Sequence, residues 1–178
     1  GWEVTVIDDL SAGERSAVPP GARFVQMDCG DPAAAELLRD SGAEAAVHFA
    51  ARIRADESLA EPLGYYAANT ATACRFFAAA AAAGLRAIVF SSTAAVYGPT
   101  DGRPVAEDAP PAPETPYGRS KLAAEWALRD LSAAGAMRHV ILRYFNVAGA
   151  DPAGRAGPRP GATHLIKRVC DAAVGAAP

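Results

Sequence analysis

Residues 3–8 read EVTVID, a short run in which β-branched residues dominate and an acid comes last. A run of this kind, bounded by polar residues, is typical of a β-strand. Four more runs downstream share the same character, at residues 23–28, 45–50, 87–92 and 139–145. The sequence therefore predicts five strands.

Helical stretches lie between these strands, at residues 32–41, 65–83 and 117–134. Gly84 and Gly135 follow the last two, where helix C-caps are expected. Alternation of short strands with helices indicates a parallel sheet covered by helices on both faces. The predicted fold class is α/β, a doubly wound parallel sheet.

The composition excludes several classes of protein. The 178 residues are 51% hydrophobic with a net charge of −3 and no basic run, so we expect no nucleic-acid partner. The longest apolar stretch, residues 76–85, is mostly alanine and too short to cross a bilayer, so we expect no membrane partner. Three scattered cysteines suit a reducing compartment and predict a cytoplasmic protein without a metal site.

The acid that ends residues 3–8 corresponds to the acid that ends the second strand of a dinucleotide-binding sheet. In that fold a first strand, a glycine-rich turn and a helix come earlier and hold the pyrophosphate. The printed sequence contains none of the three. We therefore expect an incomplete Rossmann-like sheet and a fragment of a longer protein.

Several strand ends carry residues with two interpretations. Asp8 could accept the hydroxyls of an adenosine ribose and Asp28 could meet the adenine edge, or each could be a loop-starting acid. The small residues at 49–51 could admit a ligand or only pack tightly against a helix. A hydroxyl in residues 91–93 could bond a substrate oxygen or cap a turn. His48 lies within an apolar strand and is predicted to be a core residue.

The stretch TPYGRSK, residues 115–121, predicts a helix start and a reactive pair. Thr115 suits the N-cap and Pro116 the first helical position. Tyr117 and Lys121 are then four residues apart and share one helix face. An ammonium close to a phenol favours the phenolate, which a tyrosine needs to act as a base near neutral pH.

The chain resembles the extended short-chain dehydrogenase/reductase family, and within it the NAD-dependent epimerases and dehydratases of nucleotide sugars. The resemblance covers nearly the whole chain in order. Its segments are VTVIDDLSAG (4–13), VHFAARIRADES (47–58), PLGYYAANT (62–70), IVFSSTAAVYG (88–98), PYGRSK (116–121), LRYFNVAGA (142–150) and THLI (163–166). It implies a partial NAD-binding Rossmann domain over residues 1–148, with residues 149–178 beginning a small substrate-binding region.

The resemblance also implies roles for individual residues. Tyr117 would be the general acid/base, Lys121 its partner at the nicotinamide ribose, and Thr93 the residue that bonds the sugar's 4-oxygen. The positions implied for NAD are Asp8, Asp9, Leu10, Ser11, Ala12, Gly13, Asp28, Cys29, Phe49, Ala50, Ala51, Arg52, Ile53, Asn69, Thr93, Tyr117, Lys121 and Phe145. Those implied for the sugar nucleotide are Thr93, Tyr117, Asn146, His164 and Leu165.

The implied activity is 4-epimerisation of a UDP-hexose through a transient 4-keto sugar, with NAD as cofactor and a homodimer as the common assembly. Ala94 and Ala95 stand where related dehydratases usually carry acids, which favours epimerisation over elimination. Val147 and Lys167 stand where prolines are common in the family, and these differences leave the identity of the sugar undecided. Another nucleotide-sugar epimerase or dehydratase, or an inactive fragment or binding module, remains an alternative.

Overall fold

A computed structural model describes residues 1–157, 162 and 165–176 of the chain. Within them the chain forms five strands: β1 (Thr5–Asp8), β2 (Arg23–Gln26), β3 (Ala45–His48), β4 (Ala87–Ser91) and β5 (Arg138–Leu142). The α-helices of these residues are α1 (Ala34–Asp40), α2 (Ala55–Ala60), α3 (Pro62–Tyr65), α4 (Thr72–Ala82), α5 (Pro116–Ala133) and α6 (Leu165–Ala173). A π-helical stretch (Tyr66–Ala71) joins α3 to α4, and 3-10 turns form at Arg15–Ala17 and Ala94–Val96.

The strands form two separate parallel sheets. One pairs β1 with β2, and the other has the order β3–β4–β5 with β4 in the centre. In the strand order 3-2-1-4-5-6 these are the groups that flank strand 1 on its two sides. The predicted α/β class with a Rossmann-like, incomplete sheet is thus confirmed.

The hydrophobic core lies between the three-stranded sheet and its helices. Ile88 and Phe90 of β4 are fully buried, and they pack in one cluster with Phe76 and Phe77 of α4 and Leu128 of α5. Burying a side chain of this size contributes about 1.5–3 kcal/mol. The central strand and helices α4 and α5 therefore form the rigid part on which the site is built.

The structure corrects several predicted boundaries. The last strand ends at Leu142, so Phe145 lies beyond it. Helix α2 was missed, because its acid-rich sequence follows the strand without a capping residue that makes a side-chain hydrogen bond. The predicted helix 65–83 begins earlier, at Pro62, and contains the π-helical stretch. Gly84 and Gly135 have φ of 83° and 81°, as predicted for left-handed helix caps.

The chain divides into two compact units, Gly1–Arg143 and Tyr144–Pro178. In the second unit α6 spans Leu165–Ala173, and residues 163 and 164 before it lie outside the described residues. No helix of the described part of the chain is long and apolar enough to cross a membrane.

Candidate active site

Thr93 follows the central strand β4 at its carboxyl end. It has an extended backbone and caps the turn Ala94–Val96, where its Oγ1 accepts a hydrogen bond from the Ala95 N–H at 3.1 Å. The hydroxyl of Thr93 has one O–H donor and two acceptor lone pairs, and the bond from the Ala95 N–H occupies only one of the lone pairs. Thr93 is therefore held in one place with a hydroxyl hydrogen able to bond an oxygen at the sheet edge.

Helix α5 starts directly against this turn. Thr115 Oγ1 accepts a hydrogen bond from the Gly118 N–H at 3.1 Å, and Pro116 takes the first helical position, as the sequence predicts. Gly118 lies so close to the turn that a Cβ there would be 2.9 Å from the carbonyl oxygen of Ala95. The absence of a side chain at 118 thus lets the helix carry Tyr117 up to the end of β4.

Lys121 is buried on the same face of α5, one turn beyond Tyr117. Only 2% of its surface is exposed, and its Nζ lies 4.6 Å from the centroid of the Phe90 ring of β4. Burial lowers the pKa of the Lys121 ammonium to about 8, and the nearby Glu125 carboxylate opposes part of that lowering. The amine therefore titrates close to the neutral range while remaining able to carry charge beside the tyrosine.

Tyr117 is fixed by a second, fully buried tyrosine. The ring of Tyr65 meets it edge-to-face, with centroids 6.3 Å apart and planes at 84°. The Tyr65 hydroxyl donates to the Glu57 carboxylate at 2.8 Å and accepts from the Arg54 N–H at 3.1 Å. Ser120 also donates its hydroxyl hydrogen to the Tyr117 carbonyl at 2.8 Å. Helix α5 is therefore held against the segment that follows β3.

Asn69 ties the loop after β3 to helix α5. Its amide accepts from the Arg52 N–H at 2.8 Å, donates to the Arg52 carbonyl at 2.9 Å, and donates to Ser120 Oγ at 3.1 Å. The residue lies in the π-helical stretch, a geometry frequent at functional sites. The loop it holds exposes Phe49 and Ile53, both more than 60% accessible, beside the sheet edge. Asn69 thus shapes the loop, and its contact with a cofactor stays a prediction.

The loop after β1 forms a cradle around Asp8. Asp8 Oδ1 accepts from the Leu10 N–H at 2.7 Å, and Leu10 adopts a left-handed φ of 61°. At Gly13 a Cβ would lie 2.8 Å from both carboxylate oxygens of Asp8, so glycine keeps this carboxylate approachable. A cavity of about 180 Å³ opens beside these residues. The arrangement fits a paired-hydroxyl ligand such as a ribose.

Two neighbouring acids shape the same edge. Hydrogen bonds from the Ser11 hydroxyl and backbone hold the pKa of Asp9 below its usual value. Asp28 Oδ1 accepts from the Gly30 N–H at 2.8 Å. Burial, chiefly, raises the pKa of the adjoining Cys29 to about 11, so this residue stays a thiol at neutral pH.

The remaining predicted residues are divided between the two units. Ala50 and Ala51 follow β3 as predicted, while Phe145, Asn146 and Leu165 belong to the second unit. Phe145 and Leu165 are largely exposed there, and His164 lies outside the described residues.

The sequence did not predict a buried ion pair one helical turn beyond Lys121. Glu125, fully buried on α5, is bound by the Arg143 guanidinium through Nε at 3.0 and 3.1 Å and through Nη2 at 2.6 Å, and it accepts from Ser92 Oγ. The spacing of Tyr117, Lys121 and Glu125, four residues each, places Glu125 on the same helix face but does not indicate its pairing with Arg143.

Thr93 follows the central strand of a parallel sheet, and the helix with Tyr117 and Lys121 packs against that strand and its turn. Together with the acid-terminated strand β1, this defines a Rossmann-type domain of the short-chain dehydrogenase/reductase kind. The family model described as "NAD dependent epimerase/dehydratase family" matches residues 1–176. The chain belongs to this family, as its motifs indicated, and NAD is the family's cofactor.

Several of the proteins similar to the chain are named UDP-glucose 4-epimerase. The UDP-glucose 4-epimerase of Azospirillum brasilense is 51% identical over 183 residues, covering 100% of this chain and 52% of that protein. UDP-glucose 4-epimerase from Brucella ovis, solved in complex with NAD, has a TM-score of 0.90 at 37% identity, covering 99% of this chain and 55% of that one.

A third relative was solved with a sugar nucleotide. UDP-glucose 4-epimerase from Stenotrophomonas maltophila, with bound NAD and formylated UDP-arabinopyranose, has a TM-score of 0.89 at 36% identity, covering 98% of this chain and 55% of that one. The chain therefore spans about half the length of the relatives that it matches.

Proposed function

We propose that the full-length gene product carrying this sequence is an NAD-dependent 4-epimerase of a UDP-hexose, converting UDP-glucose and UDP-galactose. The observation that supports the proposal is that Thr93 follows β4 while α5, which carries Tyr117 and Lys121, packs against the same strand and the turn after it, with alanines at 94 and 95. Alanine cannot move a proton, so the site lacks the acids that an elimination of water requires at those positions.

The chain's own residues divide the work in this proposal. The Tyr117 phenolate removes the proton of the sugar's 4-hydroxyl and later returns it, and the Lys121 ammonium stabilises that phenolate before the first transfer and after the second. Thr93 donates a hydrogen bond to the 4-oxygen and holds C4 in reach. The sugar passes through a 4-keto form that turns over in the site, so the hydrogen taken with two electrons from C4 would return to the opposite face of that carbon and invert it, while Tyr117 returns its proton to the 4-oxygen.

NAD fits the residues at both ends of the site. Asp8 with Gly13 would hold the adenosine ribose, and Lys121 with Tyr117 the nicotinamide ribose. When bound, NAD supplies a reversible two-electron acceptor for C4. Residues 1–148 then form the cofactor domain, and residues 149–178, with Asn146 and His164, contribute to the side that binds the UDP-sugar.

The assembly and location follow the same proposal. The outer face of α5 exposes 57% of Trp126 beside a groove of about 440 Å³ that includes Tyr66, Pro113 and Leu122. We assign this face to a homodimer, which light scattering of the full-length product would show and Trp126→Glu would dissociate. The three cysteines are all free, which supports a cytoplasmic location.

The activity is tested by incubating the full-length product with UDP-glucose and NAD and following the anomeric proton signals of the sugar nucleotides by NMR. Formation of UDP-galactose supports the proposal, and a 4-keto-6-deoxy product would indicate a dehydratase. Tyr117→Phe should reduce turnover at least 100-fold, on the order of general acid/base catalysis. Unchanged turnover in that variant would overturn the assigned chemistry.

A further inference from the structure

Glu125 and Lys121 lie on one face of α5 and meet one face of β4. They are four residues apart on the helix, so their side chains are neighbours one turn apart. Phe90, which lies against the Lys121 ammonium, and Ser92, which donates to Glu125, are two residues apart along the chain and so point to the same side. The helix face and the strand face are therefore in register at two consecutive positions.

The carboxylate of Glu125 has no freedom to leave this position. Its two oxygens receive three contacts from the Arg143 guanidinium and one from the Ser92 hydroxyl, and none of the residue is exposed. Those contacts raise the pKa of Arg143, whose side chain is only 13% exposed and also stacks on the Tyr97 ring at 4.8 Å. A buried charge fixed in this way acts on its neighbours without reorganisation.

The charged and titratable groups around Lys121 come from three other sources. His48 of β3 is buried nearby, and its lowered pKa, about 4, arises first from burial and then from the lysine's charge. Tyr117 lies one turn before Lys121 on α5, and Arg143 follows β5. Among these groups Glu125 alone is an anion whose field favours the charged amine.

The carboxylates of α2 serve other cations. Asp56 pairs with Arg54 at 2.8 Å, and Glu57 pairs with Arg52 while accepting from Tyr65. Neither therefore substitutes for Glu125 beneath the lysine.

We propose that Glu125 is a positioning residue of the site, a fixed anion anchored by Arg143 and Ser92 that keeps the buried Lys121 ammonium charged next to Tyr117. The inference rests on the proposed function for its consequence in catalysis, although the electrostatic link itself does not depend on that function. Removing the anion lowers the fraction of charged Lys121 near neutral pH, and the phenolate then loses its stabilising partner.

The direct test is the titration of Lys121 by NMR in protein whose lysines carry ¹³C at Cε. This chain has two lysines, Lys121 and Lys167, so comparison with Lys121→Met assigns the signal. In Glu125→Gln we expect the pKa of Lys121 to fall by about one unit or more. The control Glu44→Gln removes a carboxylate from the exposed pair with Arg86 and should leave the titration unchanged.

The double variant Glu125→Leu/Arg143→Met separates an electrostatic role from a structural one. Replacing a buried ion pair by apolar residues of similar size is often neutral or stabilising, so this variant should fold even where Glu125→Gln, which leaves Arg143 unpaired, does not. We expect its unfolding midpoint to lie at the same denaturant concentration as that of the wild type. The pKa of Lys121 should nevertheless be lowered, as in Glu125→Gln.

Activity adds a second readout in the full-length product. The double variant should show kcat reduced at least tenfold with little change in KM, and a pH–rate profile displaced from that of the wild type. An unchanged Lys121 titration together with wild-type kcat would overturn the proposal and leave Glu125 a structural residue. If the wild type shows no epimerase activity, the proposed function fails, while the NMR titration still decides the link between Glu125 and Lys121.

Discussion

Lys121 is a charged residue held where burial opposes its charge. The pKa of its amine falls from 10.5 to about 8 in the folded chain, which corresponds to about 3 kcal/mol of destabilisation at pH 7. We expect Lys121→Met to increase the free energy of unfolding at pH 7 by about 1–3 kcal/mol while abolishing activity. The buried ammonium that the proposed function requires destabilises the folded chain, and methionine removes it. Urea unfolding measures the first effect.

The pH dependence of that difference identifies its cause. Between pH 8 and 10.5 the unfolded chain holds the lysine proton more tightly than the folded chain, so wild-type stability rises with pH and approaches that of Lys121→Met. Lys167→Met, which changes the chain's other lysine, should show no such gain. A Lys121→Met variant less stable than the wild type at pH 7 would contradict the argument.

His48 provides a second titration, on the acid side. Its ring is 97% buried and lies between Phe76, Phe77 and Phe90, with centroids 5.1, 5.6 and 5.7 Å away. Because burial lowers its pKa from 6.5 to about 4, the unfolded chain takes up the proton first, and stability is lost as the pH falls from 6.5 to 4.

Comparison with His48→Phe isolates this contribution, since the carboxylates titrate alike in both proteins. The stability of the wild type relative to the variant should be constant above pH 7 and should fall by about 3 kcal/mol as the pH approaches 4. Denaturant unfolding at half-unit pH intervals measures it, and parallel curves over the whole range would exclude a neutral buried histidine.

At the scale of the elements, the start of α5 decides whether the reactive groups meet. Gly118 faces the carbonyl oxygen of Ala95 at 2.9 Å and the Cβ of Pro113 at 3.0 Å, measured from the Cβ that a larger residue would carry. Gly118→Ala would gain up to about 1 kcal/mol in helix propensity but lose about 1–3 kcal/mol by crowding a backbone atom. We expect a net loss of stability of about 1 kcal/mol and at least tenfold lower kcat, because Tyr117 moves with the helix.

Gly64→Ala is the matched control for stability. A Cβ at Gly64 would approach Arg52 Nη1 at 2.7 Å, which is the end of a flexible side chain that can move aside. Gly64→Ala should therefore leave the thermal midpoint unchanged or raise it, whereas Gly118→Ala should lower it. Equal midpoints for the two variants would show that the contact with Ala95 relaxes freely.

Local signals predicted the elements that local chemistry determines. Thr115 and Pro116 specify where α5 begins, and the glycines at 84 and 135 specify where helices end, so both features could be found in the sequence. The π-helical stretch Tyr66–Ala71 could not be found in the sequence. It contains Asn69, whose partners Arg52 and Ser120 lie 17 and 51 positions away along the chain.

The same distinction holds for the site. Tyr117 and Lys121 belong to one short motif, whereas the Glu125–Arg143 pair joins residues 18 positions apart on a helix and a strand end. A buried ion pair leaves no periodic pattern, because each partner alone resembles an ordinary surface charge. Only the packing of α5 on the sheet shows that both are inside.

At the scale of the whole molecule, β4 differs from every other strand of the described chain. It pairs with β3 on one side and β5 on the other, while β1, β2, β3 and β5 each pair on one side only. An edge strand leaves alternate N–H groups without a ladder partner, and Val47 of β3 is correspondingly 55% exposed. Stability should therefore be unevenly distributed through the sheets.

Hydrogen exchange of this chain tests that distribution. The amides of β4, Ala87–Ser91, should all exchange slowly, because both of its edges are bonded and Ile88 and Phe90 are fully buried. Along β3 and β1 protected and fast-exchanging amides should alternate. Uniform protection of β3 at the level of β4 would mean that a further strand covers its outer edge, and would contradict two separate sheets. The slowest exchange along the whole of β4 would show that Thr93 follows the most stable strand of the described sheets.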